Sequence, residues 1–145
     1  MKYVFLANLA ATLFMAGLIW LIQLVHYPLF DKVGAAHFSA YEQAHQRSIT
    51  PLVGIVMLLE LVTALALLAE QPPYLSAWAA WGGAALLGII WLSTLLLQIP
   101  AHSSLSSSFT PEALATLVFT NWLRTVAWSL RSLLLLAAAA QGLAG

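Results

Sequence analysis

Four apolar stretches, each about 20 residues or longer and each bounded by proline, constrain this chain more than any motif in it. The first runs from Tyr3 to His26 and meets Tyr27-Pro28. The second begins at Ile49 or Thr50, carries Pro51 in its first turn, where a missing N–H is harmless, and stops before Glu70-Gln71-Pro72-Pro73. The third spans Leu75 to Gln98 and meets Pro100. The fourth opens at Thr110-Pro111-Glu112, an N-cap followed by a proline and an acid in the first turn, and continues to Gln141. Each is long enough to cross a hydrocarbon layer of about 30 Å. The expectation is an all-α, four-helix transmembrane bundle, one integral membrane domain over 1–145, with spans near 3–26, 50–69, 75–98 and 117–140.

Composition agrees. The chain is 62% hydrophobic with a mean hydropathy of +0.92, which is the membrane class. Its net charge is zero, so no basic surface points to nucleic acid. It has no cysteine, which removes disulfides, thiolate metal sites and a cysteine nucleophile. The N-terminal run after Lys2 is too long for the apolar core of a signal peptide and reads as a retained helix.

The links are unequal. Glu70 to Pro73 is tight, whereas Leu29 to Ser48 is long enough for a short interfacial helix, with His37, Tyr41 and His45 at i, i+4 and i+8. The third link holds His102 and the serine run Ser103–Ser108, broken only by Leu105, which reads as a flexible polar connection. Both long links lie on one side. Lys32 and Arg47 there, against Lys2 on the other side, make the long-link side cytoplasmic and give a multi-pass protein of the bacterial inner membrane.

The few polar residues fall on one stripe per helix. Asn8, Thr12, Met15, Ile19, Gln23 and His26 share a face of the first helix, and Val53, Glu60 and Thr63 lie close to one face of the second with Met57 beside them. Trp91, Thr94 and Gln98 line the third, with His102 beyond the proline, and Asn121, Arg124, Trp128 and Arg131 line the fourth. Helices in lipid hold small and polar residues between them, so one stripe alone is helix glue. Four converging stripes with three ionisable groups point to a buried polar site. Glu60 lies on the order of 15 Å from the long-link side, and Arg131 is similarly deep if the fourth span enters near Leu117.

Two interpretations stand for that site. In one, Glu60 and Arg131 or Arg124 form a structural ion pair, because a buried charge requires a partner. In the other, Glu60 and His26 are catalytic, and His26, His45, His102 and Glu60 bind a metal or move protons. Imidazole and carboxylate suit iron, copper or zinc, and haem between two histidines is a further alternative. Gln23, Gln98, Asn121 and Arg124 would then orient a carbonyl or hydroxyl, Arg131 would add to the binding surface, and Trp91 or Trp128 would stack on a ring. His37 is the histidine with least claim. The cofactor stays undefined by these residues, and no phosphate loop, zinc-protease motif or serine triad is present.

The strings His26-Tyr27-Pro28-Leu29-Phe30, Trp91-Leu92-Ser93-Thr94, Gln98-Ile99-Pro100-Ala101-His102 and Asn121-Trp122-Leu123-Arg124-Thr125 resemble a family of small uncharacterised bacterial four-helix membrane proteins. More distantly, the layout resembles the anthrone-oxygenase-like family, with Pro28, Asn121, Trp128 and Arg131 matching its pattern. That resemblance implies oxidation of polycyclic aromatics without a metal cofactor. The functional expectation is a membrane-embedded oxidoreductase acting on a small hydrophobic, aromatic or quinone-like molecule. The alternative is a non-enzymatic metal or metabolite carrier, or an accessory subunit of a membrane complex. Transport by so few spans would imply a homo-oligomer.

Overall fold

The computed structural model describes residues 1–144, and they form four long helices joined by short links. These are α1 (Lys2–Phe30), α2 (Ala35–Ala69), α3 (Ala77–Ser107) and α4 (Pro111–Ala144). All four are long and apolar enough to cross a membrane. At 1.5 Å per residue they measure roughly 44–53 Å, well beyond a hydrocarbon core of about 30 Å. The excess projects as helix rather than loop.

Two prolines expected to end helices do not. Pro28 and Pro100 each follow a single π turn, Ile22–His26 in α1 and Thr94–Gln98 in α3. The Tyr27 amide bonds to the Ile22 carbonyl, and the Ile99 amide to the Thr94 carbonyl. In both cases this widened bond belongs to the residue just before the proline. A proline inside a helix removes one bond and crowds the preceding turn. The π turn relaxes that crowding, so the helix continues.

The separate interfacial helix is also corrected. Residues expected to form it are the first turns of α2, continuous with the span through Pro51. The real link is Asp31–Gly34, and Gly34 has φ +81, a conformation that only glycine adopts without strain. The serine run is helical up to Ser107, with Ser106 and Ser107 hydroxyls donating to the Ser103 carbonyl. The N-cap expected at the start of α4 is present: Thr110 Oγ1 accepts from the Ala113 amide at 3.2 Å.

The molecule is inside-out compared with a soluble bundle. Leucine, isoleucine, valine and tryptophan cover the outside, including Ile55, Val62, Leu96 and Leu133. The interior holds Asn8, Thr12, Gln23, Glu60, Gln98, Asn121, Arg124, Thr125 and Arg131, as the stripes predict. Apolar layers at three heights separate and flank these groups. One is built on Phe5, Leu67 and Leu135, one on Met15, Met57, Leu87 and Trp128, and one on Phe30, Phe38, Leu105 and Leu117.

Candidate functional site

The buried polar residues divide into two groups that meet at Trp128. The deeper group is closed upon itself. Glu60 accepts from Thr12 Oγ1 at 2.7 Å and from Trp128 Nε1 at 3.0 Å, and its Oε1 lies 3.5 Å from Arg131 Nε. Arg131 donates to Asn8 Oδ1 at 2.9 Å and to the Gly83 carbonyl. Asn8 in turn donates to the Glu60 carbonyl and to Thr63. Glu60 and Arg131 are both buried, and each is held by neighbours from two or three other helices. Gly83 makes this possible, because a Cβ there would stand 3.1 Å from an Arg131 nitrogen. This arrangement realises the ion-pair interpretation and occupies Glu60 fully.

The second group surrounds a cavity of about 200 Å³ between α2 and α3. α2 touches α3 on either side of the π turn Thr94–Gln98 but stands off from the turn itself. The cavity occupies that gap. Ile49, Val53 and Met57 of α2 form one wall, Trp91, Thr94, Leu95, Gln98 and Ile99 of α3 the other. Ile22 and Tyr27 of α1 and Arg124 of α4 close the back, and His45 and His102 stand at the end. Thr50 and Gly54 of α2 also line it. Leu95 and Ile99 are 50% and 54% exposed, so the mouth opens sideways, onto the surface that lipid would cover.

Three residues of the lining, Trp91, Gln98 and Arg124, each carry a sealed polar atom without a hydrogen-bond partner among the described residues (Nε1, Oε1 and Nε), as do Glu42, Ser93, Arg131 and Ser132 outside it. Arg124 is only 7% exposed, and no carboxylate among the described residues pairs with it. It is held from behind instead. Its guanidinium lies 5.1 Å from the centre of the Trp128 ring, and one nitrogen reaches Asn121 Oδ1 at 3.4 Å. Asn121 donates to Gln23 Oε1 at 2.7 Å, and Gln23 donates to the Val118 carbonyl.

A polar chain leads away from the cavity's end. Tyr27 Oη lies 3.3 Å from His102 Nε2, and His102 Nδ1 meets Glu42 Oε1. Gln46 donates to that same carboxylate oxygen at 3.1 Å and to the His102 carbonyl. Beside it, His26 Nε2 and His45 Nδ1 are 3.0 Å apart, and the rings of His45 and His102 are centred 5.7 Å apart. The three imidazoles and Glu42 therefore form one connected cluster.

Of the residues singled out from sequence, Trp91, Gln98, Arg124, His45 and His102 line the cavity. Gln23, Asn121 and Trp128 stand behind Arg124 and position it. His26 lies behind His45. Glu60 and Arg131 belong to the deeper network, so Glu60 does not join the histidines as a metal ligand. Among the described residues, no group of three or more histidines and acids is arranged to hold a metal ion. His37 is exposed, and the buried face of α2 runs through Phe38, Glu42, His45 and Ile49 instead of through His37 and Tyr41. Tyr27 and Glu42 were not foreseen as site residues. The spacing of Phe38, Glu42 and Gln46 at four-residue intervals could have revealed Glu42. Tyr27 was hidden by the expectation that Pro28 ends the helix. No known protein family, curated protein or solved structure matches this chain.

Proposed function

We propose that this protein takes a small lipophilic, ring-bearing molecule from the bilayer into the α2–α3 cavity and acts there as an oxidoreductase of the quinone-handling kind. Arg124 would hold a carbonyl or hydroxyl oxygen, and Trp91 would lie against the ring. The observation that carries this is a cavity that opens on the outer apolar surface and is lined by Arg124, a buried guanidinium with no carboxylate partner among the described residues. A soluble polar ligand would have no reason to enter from that side, and a purely apolar one would leave Arg124 unpaired.

The redox part rests on the chain Tyr27–His102–Glu42. Quinone-like molecules gain or lose protons with each electron pair, and a hydrogen-bonded phenol, imidazole and carboxylate beside the cavity can carry them. Electrons would come from or go to a partner redox protein. A metal at the histidines is the weaker proposal, since His26 and His45 turn ring nitrogens toward each other and Glu60 is bound to Arg131. The location that goes with this function is the bacterial inner membrane.

A non-enzymatic carrier or accessory subunit would use the same cavity. It is favoured by the full engagement of Glu60, which leaves no acid at mid-depth for chemistry. Titration of the purified protein in nanodiscs with a short-chain quinone, followed by tryptophan fluorescence, tests the shared part. Wild type should bind saturably, and Arg124→Leu should weaken binding at least tenfold. Equal binding by the two proteins would contradict it. Turnover with an artificial electron donor then separates the oxidoreductase from the carrier.

A further inference from the structure

A second recess, of about 280 Å³, lies between α1 and α2, and His26 and His45 both line it. Ile22, His45 and Ile49 line this recess and the α2–α3 cavity alike, so His45 borders both. The recess is near the water side of the bundle. His26 precedes Asp31 by five residues, about 8 Å along the helix, and the charged side chains of Asp31 and Lys32 are well exposed.

The two imidazoles are coupled. His26 Nε2 and His45 Nδ1 face each other at 3.0 Å, and two ring nitrogens at that distance share one proton, one donating and the other accepting. A neutral imidazole carries its proton on one nitrogen only. The outer nitrogens, His26 Nδ1 and His45 Nε2, therefore take opposite roles: where one is a donor, the other is a bare acceptor. Both rings are half-buried, and neither outer nitrogen is among the unpaired polar atoms sealed from contact. A proton placed on one outer nitrogen is answered by release of a proton from the other.

We propose that His26 and His45 form a second proton relay, which joins the α2–α3 cavity to the recess between α1 and α2. This rests on the quinone-handling function proposed above and goes beyond it by giving each of the two protons its own path. In quinol oxidation, a hydroxyl proton passes to His45 Nε2, the His45 Nδ1 proton passes to His26 Nε2, and the His26 Nδ1 proton leaves to water. Three bonds to hydrogen break, three form, and the pair gains no charge. Water-mediated tautomer exchange then resets it. The two electrons go to the partner redox protein, and the second proton has the chain Tyr27–His102–Glu42. His45 exchanges the proton with the ligand, and His26 acts through His45.

Two measurements on full-length protein test this. Solid-state nitrogen NMR on isotope-labelled histidine in lipid bilayers reads the pair without turnover. His45→Gln should shift the ring resonances of His26, and unchanged resonances would overturn the relay. The second measurement is oxidation of duroquinol by ferricyanide in nanodiscs, corrected with protein-free discs. His26→Gln and His45→Gln should bind duroquinone within threefold of wild type, by tryptophan fluorescence, yet turn over duroquinol at least tenfold more slowly. Added imidazole should restore turnover of His26→Ala at least threefold. His37→Gln, exposed and outside both linings, should behave as wild type. Undiminished turnover in the Gln variants, loss without rescue by imidazole, or a loss of binding equal to the loss of turnover would overturn the relay and leave the oxidoreductase function standing. If wild type binds duroquinone but oxidises duroquinol no faster than protein-free discs, the oxidoreductase function fails and the relay with it.

Discussion

At the scale of single residues, the two buried arginines carry opposite assignments. Arg131 is paired with Glu60 and donates to Asn8 and Gly83, whereas Arg124 has a supporting ring and an amide but no anion. Removing one partner of a buried pair leaves a charge uncompensated and typically costs about 3–5 kcal/mol. Glu60→Leu should therefore lower thermal stability strongly. The double variant Glu60→Leu with Arg131→Met should recover much of the loss, measured by thermal unfolding in detergent. Additive losses would show that the two side chains do not act as a pair. Gly83→Ala should stabilise by less than the roughly 1 kcal/mol that alanine adds at an open helix position, because its methyl group would stand 3.1 Å from an Arg131 nitrogen and the guanidinium would have to give, measured by thermal unfolding. Arg124→Leu should leave the melting temperature within a few degrees of wild type and be felt in ligand binding. The stripes that singled out these residues were legible in the sequence, because in lipid a polar side chain has one favourable direction to face. Which arginine paired with Glu60 was not legible. Arg124 and Arg131 share a stripe, depth favours Arg131 only if the fourth span enters near Leu117, and the structure sets Arg131 beside Glu60 and Arg124 beside the cavity.

At the scale of helices, the π turns decide where the site lies. Each shifts one turn's register just before a proline and carries site residues within it, Gln23 and His26 in α1, Thr94 and Gln98 in α3. Periodicity and proline position foretold four helices and the tight second link, but read Pro28 and Pro100 as stops. A proline restricts its neighbours, yet whether a chain breaks or widens into a π turn is decided by what packs beyond it. Here Phe30 and Leu105 are fully buried and extend both helices into the third apolar layer. The expected result for Pro100→Ala is an unchanged helix content by circular dichroism, since the helix already continues, with ligand binding weakened several-fold. Restoring an amide would let the turn tighten to α and rotate Gln98 away from the cavity. Wild-type affinity in this variant would show that the π turn has no part in shaping the site.

At the scale of the whole molecule, the bundle combines a sealed mid-depth network with an open lateral cavity and a polar cluster at one end. The end cluster adds Glu42, fully buried, to the three histidines that the sequence had already gathered on that side. Its position on the projecting part of α2 is what a proton path between the cavity and water would require. The most direct test of the account is the location of a bound ligand. A short-chain quinone bearing a photoreactive group on its ring can be cross-linked in nanodiscs and the labelled peptides mapped by mass spectrometry. Label confined to residues 49–57 of α2 and 91–102 of α3, and lost in Arg124→Leu, is the predicted result. Label spread over the lipid-facing sides of all four helices, unchanged by that substitution, would contradict a ligand site between α2 and α3.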